Sequence, residues 1–397
     1  MGSRLIVLIV FMLLVPAPAL AGAKQRIAAL APSGVVLVLD ENGKELISQN
    51  IDKPFVPASV AKVVTAWLAM EVLGGDYRFK TNFYLDDGRV LYVRGGGDPF
   101  LISEELALLA PKLLAATGSK PFKGIVIDAS YYPDNIRIPG IEDTDEAYDA
   151  LNSALAVNFN TIHARRKGKT VRSAEKQTPI TPLAISQFRK RGPNGRGRIS
   201  LTQEDPSVSL RYAGELLAEF IKREGGSVDG KISIGSVPPG TEPVYIHNQS
   251  RALSEILRQM LIGSNNYIAN QVFLEIGTHH HGGPVSLEKS ISVATNILTK
   301  HNIVKDIHLE EGSGISRGNH FTARGLAKLL HHFAPHAELL RKTRAGSRYK
   351  TGTFSGVRTL AGYAKTRKNG RVRFVISLKG GTGKLRFRLL RTIEREL

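Results

Sequence analysis

The 397-residue sequence predicts an α+β fold in which strands from both ends of the chain form one antiparallel sheet. Residues 34–48 contain two apolar strands joined through Asn42-Gly43, and Asn-Gly is a strong hairpin signal. Residues 359–378 repeat this pattern around Asn369-Gly370. Because a hairpin of apolar strands must bury its side chains, we expect the two hairpins to share one sheet, with helices packed against it.

A nearly apolar run after Pro57 predicts a buried helix. Proline suits the first turn of a helix, and Ser59 and Lys62 then lie one turn apart on the same face. A buried lysine loses its proton more easily, and a neutral amine can activate a neighbouring serine hydroxyl. A helix-capping serine and a solvent-reaching lysine would give the same S-x-x-K pattern, so the motif alone leaves both interpretations open.

The middle of the chain, residues 95–245, predicts an inserted α/β accessory domain. An amphipathic helix is expected at 103–116 and a strand at 124–128, followed by a basic stretch punctuated by Gly and Pro. We expect residues 22–94 and 246–397 to form one discontinuous domain around this insertion.

The N-terminus has the features of a secretory signal peptide over residues 1–21. Arg4 precedes an apolar run, and Ala19-Leu20-Ala21 fits a cleavage site after Ala21. An uncleaved membrane anchor would need a longer apolar span. The expected location is therefore the periplasm or cell envelope.

The net charge is +19, from 54 Lys and Arg against 35 Asp and Glu. In an exported protein, this charge favours contact with an anionic wall or membrane surface over nucleic acid, and a merely solvated basic face is equally open. The absence of cysteine excludes disulfides, thiolate metal sites and a cysteine nucleophile. The consecutive histidines 279–281 predict a loop, and no metal or cofactor is expected.

Two further polar motifs complement S-x-x-K. Ser264, Asn265 and Asn266 separate two apolar helical stretches, and residues 350–353, Lys-Thr-Gly-Thr, lead into the C-terminal hairpin. Taken singly, the first is an ordinary capping loop and the second an exposed strand edge. The three motifs occur in the order and local contexts that a serine acyl-transfer site needs.

With these motifs the chain resembles the penicillin-interacting serine hydrolases, specifically the D-alanyl-D-alanine carboxypeptidase/endopeptidase branch of the low-molecular-mass class C penicillin-binding proteins. Four more segments carry the resemblance, which covers nearly all of the mature chain: 95–99, 157–160, 311–317 and 350–363. It implies a transpeptidase/β-lactamase-like domain, with an antiparallel sheet flanked by helices and a helical subdomain. Asn265 stands where an Asp is common.

The resemblance also implies residue roles. Ser59 would attack the carbonyl of a D-Ala-D-Ala bond and form an acyl-enzyme, and Lys62 would take its proton. Ser264 would relay that proton toward the leaving amine, with Lys350 nearby. Asn266 would hold the amide on the acyl side of the substrate.

The implied substrate-binding strand is formed by Lys350, Thr351, Gly352 and Thr353. Its cation and hydroxyls would bind the terminal carboxylate of the substrate. The backbone N–H groups of Ser59 and Thr353 would form the oxyanion hole.

The implied partners are peptidoglycan stem peptides as substrates and β-lactams as covalent inhibitors. A serine β-lactamase of the same fold and a catalytically silent wall-binding protein are the alternatives. One member of an acidic set is a candidate for binding the cationic end of a stem peptide: Asp128, Asp134, Glu142, Asp143, Asp145 and Glu146.

Overall fold

The computed structural model of the chain describes residues 18–118, 120–133, 136–201 and 205–397, with side chains from residue 22 onward. The helices are α1 (Pro18–Leu30), α2 (Ala61–Val72), α3 (Ser103–Thr117), α4 (Pro182–Arg191), α5 (Ser207–Arg223), α6 (Leu253–Gly263), α7 (Asn266–His281), α8 (Leu287–Lys300), α9 (Ala323–His332) and α10 (Gly383–Glu396). The strands are β1 (Val35–Leu39), β2 (Glu45–Gln49), β3 (Lys80–Leu85), β4 (Val90–Gly95), β5 (Gly124–Asp128), β6 (Thr161–Lys167), β7 (Thr170–Ser173), β8 (Gly195–Ser200), β9 (Ile232–Ile234), β10 (Tyr245–Asn248), β11 (Ile307–His308), β12 (His320–Phe321), β13 (Arg341–Lys342), β14 (Arg348–Phe354), β15 (Val357–Lys365) and β16 (Arg371–Lys379).

A six-stranded sheet in the order β13-β14-β15-β16-β1-β2 combines strands from both ends of the described chain. β1 and β2 form the first expected hairpin, and β15 and β16 form the second. The hairpins join where β1 runs antiparallel to β16, with Val36 opposite Ile376. The prediction of one antiparallel sheet from both chain ends is confirmed.

The strand side chains of this sheet alternate between two apolar layers. Val36 and Val38 pack in a layer with α1 and α10, whereas Val35 and Leu37 pack in a layer with α2 and α6 to α9. Because successive strand residues point to opposite faces, an unbroken apolar strand needs helices on both sides. The second layer buries Trp67 completely and so fixes α2, which follows Ser59 directly.

The segment between α2 and α6 builds a second core. The strands β10-β3-β4-β5-β9 form a mixed sheet in which β4 and β5 run parallel, and α3 and α5 pack against it. The three-stranded sheet β7-β6-β8 and α4 share this core. The expected domain boundary at residue 95 falls inside the mixed sheet, which begins at Lys80. The division into domains stays a prediction. Because the sheet begins at Lys80, we propose that the inserted domain starts before this residue.

One local expectation is wrong. Residues 279–281 form the last turn of α7 rather than a loop, because the helix begun at Asn266 continues as far as Gly282, whose φ is 76°. Among the described ranges, no group of three or more His, Cys, Asp or Glu side chains is arranged to hold a metal ion.

Residues 1–17 of the expected signal peptide lie outside the described residues. Helix α1 begins at Pro18 and runs across the expected cleavage point after Ala21. In the part of the chain that the structure describes, no helix is both long and apolar enough to cross a bilayer.

Candidate active site

Ser59 lies in a short 3₁₀ turn, Ala58–Val60, immediately before α2. Ala58 has a φ of 48°, in the left-handed region, so the chain turns sharply at this point. Two glycines make room for the turn. A Cβ on Gly314 would lie 2.0 Å from the Ala58 carbonyl oxygen, and a Cβ on Gly352 would lie 2.5 Å from that of Pro57. Because Gly314 and Gly352 have no side chain, the backbone of each packs directly on the turn.

Lys62 is fully buried one turn after Ser59. Its Nζ lies 3.1 Å from Ser59 Oγ and 2.7 Å from both Asn266 Oδ1 and the Ser313 carbonyl oxygen. The latter two atoms are acceptors only, so they take both N–H groups of a neutral amine and leave its lone pair for the Ser59 hydroxyl. Burial lowers the pKa of Lys62 to about 7, although the nearby charge of Glu311 opposes this.

A buried loop that starts at Glu311 closes over Lys62. The Glu311 carboxylate accepts hydrogen bonds from the Ser313 N–H and the Asn319 side chain, each at 2.7 Å. Thr65 of α2 donates its hydroxyl to the Gly312 carbonyl at 2.5 Å. These bonds hold the Ser313 carbonyl against the lysine amine, so Glu311 orients the loop. The negative charge of Glu311 also favours the protonated form of Lys62.

The Ser264–Asn266 motif joins α6 to α7. Ser264 adopts the left-handed conformation at the end of α6, with φ 56° and ψ 37°. Asn265 caps α7 by accepting the Ile268 N–H at 3.0 Å. An Asp would provide the same oxygen, so the departure at position 265 preserves the cap. Asn266 then begins α7 with its side-chain oxygen on Lys62.

Lys350 lies on β14, buried and close to Ser264. Its Nζ donates to Ser264 Oγ at 2.8 Å and to the Thr351 carbonyl at 2.9 Å. Burial and three neighbouring cations, Lys62 first among them, hold the pKa of Lys350 well below its usual value. β13 pairs with β14 at Arg348 and Tyr349. Beyond these residues, the strand borders the cleft.

The motifs meet at an open cleft of about 650 Å³. Ser59, Ser264, Asn266 and Thr353 are among its lining residues. The rest come from the Glu311 loop, from the β14–β15 region and from the inserted segment: Gly314, Ile315 and Arg317; Phe354, Ser355 and Arg358; and Gly140, Glu142, Tyr148 and Asp149. The insertion therefore completes the cleft.

A sequence model of the D-Ala-D-Ala carboxypeptidase 3 (S13) family matches residues 20–192 and 196–345. The chain belongs to this family. Among its relatives, the D-alanyl-D-alanine carboxypeptidase of Actinomadura sp. (strain R39) is 29% identical, across 89% of this chain and 78% of the relative.

Solved structures agree on the fold of this S13-family chain. Penicillin binding protein 4 from Haemophilus influenzae superposes with a TM-score of 0.74 at 20% identity, covering 94% of this chain and 97% of the other. A penicillin G-acylated predatory endopeptidase from Bdellovibrio bacteriovorus superposes with a TM-score of 0.51 at 17% identity, covering 86% and 84%. The expected α+β fold of the transpeptidase/β-lactamase-like type is confirmed.

The structure brings the residues expected from the three motifs together, although some line the cleft and others are buried behind it. Lys62 and Lys350 lie buried behind the cleft surface. Gly352 packs on the Ser59 turn, and Thr351 contacts Lys350 through its backbone carbonyl. Ser264 contacts Lys350, while Lys62 contacts Asn266 and Ser59.

Sequence reasoning missed Arg386, Tyr148 and Asp149. Arg386 lies on α10 and donates to the Gly352 carbonyl at 2.6 Å. It occupies a buried position of an amphipathic helix, beside Leu389 and Leu390, and a charged residue at such a position could have signalled its role. Tyr148 and Asp149 lie in a turn without a distinguishing pattern, so no comparable signal was present.

Proposed function

We propose that this chain is a serine-type D-Ala-D-Ala carboxypeptidase that trims peptidoglycan stem peptides through an acyl-enzyme on Ser59. The geometry at Lys62 carries the proposal, because two acceptors occupy the amine N–H groups and the third contact is the Ser59 hydroxyl. Membership in the S13 family and the named activity of the Actinomadura relative support the reaction class.

In the proposed acylation, Ser59 Oγ attacks the carbonyl carbon of the penultimate D-alanine as its proton passes to Lys62 Nζ. The C–N bond to the terminal D-alanine then breaks, and the proton leaves on the released amine. Water attacks the resulting ester, restores the hydroxyl and releases the shortened peptide. The same steps give endopeptidase activity when the leaving amine belongs to a cross-linked peptide. The backbone N–H groups of Ser59 and Thr353 stabilise the oxyanion.

The remaining roles are part of the same proposal, and the contacts behind the cleft support them. Ser264, held by Lys350, passes the proton toward the leaving amine. Lys350, Thr351 and Thr353 bind the terminal carboxylate. Because the side-chain oxygen of Asn266 accepts a hydrogen bond from Lys62, Asn266 offers the amide on the acyl side of the substrate its side-chain N–H donors.

Two carboxylates at the cleft suit a cationic stem-peptide side chain. Glu142 and Asp149 line the cleft, and the Asp149 carboxylate accepts the Glu142 N–H at 3.3 Å and the Thr144 hydroxyl. Asp128, which pairs with Arg94, and Asp145, which pairs with Arg191, are not among the lining residues. Of the acidic set expected from sequence, Asp134 lies outside the described residues. We expect a stem peptide with a free lysine amine to be cleaved with a lower KM than its acetylated form, and Glu142→Gln to reduce that difference.

Fluorescent penicillin tests the proposed function directly. Purified protein is expected to take up one covalent label, which Ser59→Ala abolishes. Ser233→Ala, on the exposed strand β9, is the matched control and keeps the label. Labelling that survives at full stoichiometry in Ser59→Ala would contradict the site, and an unlabelled native protein would support the catalytically silent alternative.

Deacylation and product analysis separate the related activities. A β-lactamase of this fold would turn over the penicilloyl ester rapidly, whereas the proposed peptidase keeps the label for many minutes. With purified muropeptides, free D-alanine reports carboxypeptidase activity and new uncross-linked monomers report endopeptidase activity. Rapid loss of label without release of D-alanine would favour the β-lactamase.

We also propose that the exported protein contacts an anionic wall polymer through the sheet of β6, β7 and β8. Arg172, Arg165 and Arg196 lie side by side in register across its three strands, and all three are exposed. Like charges at opposed positions repel, so an anionic polymer would stabilise this row. Sedimentation with isolated wall material should weaken with added salt and in the Arg165→Gln/Arg196→Gln variant, but not in Lys53→Gln. Salt-independent sedimentation would contradict this contact.

A further inference from the structure

A buried arginine lies directly beneath the substrate-binding strand. Arg386 of α10 is 8% exposed, and its Nη1 alone donates to the Gly352 carbonyl at 2.6 Å, to Thr353 Oγ1 at 3.1 Å and to the Thr359 carbonyl at 3.1 Å. Its Nε is buried without a hydrogen-bond partner among the described residues. All of its side-chain bonds therefore go to β14 and β15.

One of these bonds acts on the candidate oxyanion hole. The Gly352 carbonyl and the Thr353 N–H belong to the same peptide unit. A cation that hydrogen-bonds the carbonyl draws electron density from the N–H and makes it a stronger donor. The short bond also fixes the plane of this peptide, so the N–H keeps one direction while the substrate carbonyl becomes tetrahedral.

A second bond acts on the hydroxyl of Thr353. Because Thr353 Oγ1 accepts from Nη1, its own proton must point to another acceptor. Thr353 lines the cleft, where the proposed substrate places a carboxylate. The arginine thus presents this hydroxyl as a donor while remaining behind the strand itself.

The charge of Arg386 is also unbalanced. Two further cations are nearby, Arg358 on β15 and Lys350 on β14, and their positive charges repel that of Arg386. Within the described ranges, no carboxylate forms an ion pair with Arg386, although a buried charge is normally paired. An anion bound in the cleft would balance part of the positive charge of these three side chains.

We propose that Arg386 is a positioning residue that polarises the Gly352–Thr353 peptide and the Thr353 hydroxyl, and so prepares the oxyanion hole and the carboxylate site from behind the strand. This inference rests on the proposed function and adds a residue from α10 to its machinery. Arg386 does not line the cleft and acts through its two neighbours.

The test compares the second-order rate of acylation by fluorescent penicillin in Arg386→Gln, Arg386→Lys and the control Arg388→Gln. Arg388 lies on the same helix and is exposed. Arg386→Gln keeps a polar side chain but loses the charge, so acylation should slow by about 10-fold to 100-fold. Lysine keeps the charge on a shorter side chain and should give an intermediate rate. Arg388→Gln should match the native protein.

The pH profile distinguishes this role from simple support of the fold. Protonated Lys350 binds the carboxylate in the proposed mechanism. Burial lowers the pKa of Lys350, and the charges of Lys62, Arg341 and Arg386 lower it further. Removal of Arg386 should therefore move the basic limb of acylation to higher pH. Thermal melting is measured in parallel to confirm that each variant is folded.

Acylation of Arg386→Gln at the Arg388→Gln rate would overturn the inference, as would slowing with an unmoved basic limb. If Arg386→Gln does not melt cooperatively, Arg386→Lys decides. A rate at least about threefold below the control supports the role, and the control rate refutes it. Failure of the native protein to take up label contradicts the proposed function instead, so the two failures are distinguishable.

Discussion

Lys62 Nζ lies 2.7 Å from Asn266 Oδ1, although 204 residues separate them in the chain. The contact joins the beginning of α2 to the beginning of α7. It uses one N–H group of the amine, and the Ser313 carbonyl uses the other. The proton acceptor for Ser59 is therefore oriented by two distant segments, and changes in either should alter the same proton transfer.

Replacement of Lys62 by Met should remove the base but keep the packing. We expect acylation by penicillin to fall by about 100-fold to 10,000-fold, the range typical of general-base removal. Melting should change little or fall slightly, because the apolar side chain avoids burial of an amine but leaves the Asn266 side-chain oxygen and the Ser313 carbonyl without their donor. Lys53→Met, at an exposed lysine before the motif, is the control and should acylate normally. Acylation of Lys62→Met at the control rate would exclude Lys62 as the base.

Acylation should rise with pH with a midpoint near 7, because only the neutral form of Lys62 accepts the Ser59 proton and its pKa is about 7. At pH 6 the rate should be about a tenth of its plateau. Asn266→Asp would place a carboxylate on the amine, favour its charged form and move the midpoint to higher pH. Stopped-flow acylation across pH 5–9 measures both midpoints, and a midpoint unchanged in Asn266→Asp would argue against this contact.

Gly352→Ala should separate β14 from the Ser59 turn. Its Cβ would lie 2.1 Å from Thr359 Oγ1 as well as close to Pro57, so the strand must shift. We expect a loss of about 1–3 kcal/mol in the free energy of unfolding, together with a marked loss of acylation. Denaturant titration measures the first. The control is Gly22→Ala, whose added Cβ has no atom within 4 Å and should change neither stability nor acylation. A fully active Gly352→Ala would show that the contact between β14 and the Ser59 turn tolerates a methyl group.

Trp67, the single tryptophan of the sequence, should report on two histidines. It is stacked on His332 at 5.7 Å and meets His301 edge-on at 5.1 Å. Burial and the charges of His301 and His331 lower the pKa of His332. Because imidazolium quenches a neighbouring indole, emission should fall on acidification with a midpoint below 6.5.

The same histidine also links stability to pH. Its pKa is lower in the folded than in the unfolded state, so the unfolded chain binds more protons as the pH falls through 6.5, and stability decreases. His332→Leu should remove both the fluorescence transition and this part of the stability loss. Acid quenching that persists in His332→Leu would contradict the assignment to His332.

The elements with strong local patterns could be predicted from the sequence. The two Asn-Gly hairpins and the alternation of their apolar strands determined the terminal sheet, and the helix after Pro57 followed from its apolar run. Ser59, Lys62 and Lys350 could be selected because the three motifs together supply a nucleophile and two amines in the order that a serine acyl-transfer site needs.

The contacts that orient these groups could not be predicted in the same way. Arg386 reaches β14 only after α10 packs beneath the sheet, and Asp149 reaches the cleft through a turn of the insertion. The parallel pairing of β4 with β5 likewise depends on long-range topology, so the extent of the mixed sheet could not be predicted from local patterns. Such contacts depend on tertiary packing, which local periodicity does not encode.

The pairing of β1 with β16 has a consequence for synthesis. Ser59 and Lys62 leave the ribosome long before β14, β15, β16 and α10 exist, so the nascent chain carries the nucleophile without its strand partner or Arg386. Sheet closure across such a sequence separation is slow and comes late in folding. The hydrolase therefore gains its activity only when the last strands arrive, and protein truncated before β14 would be inert however well its first helices fold.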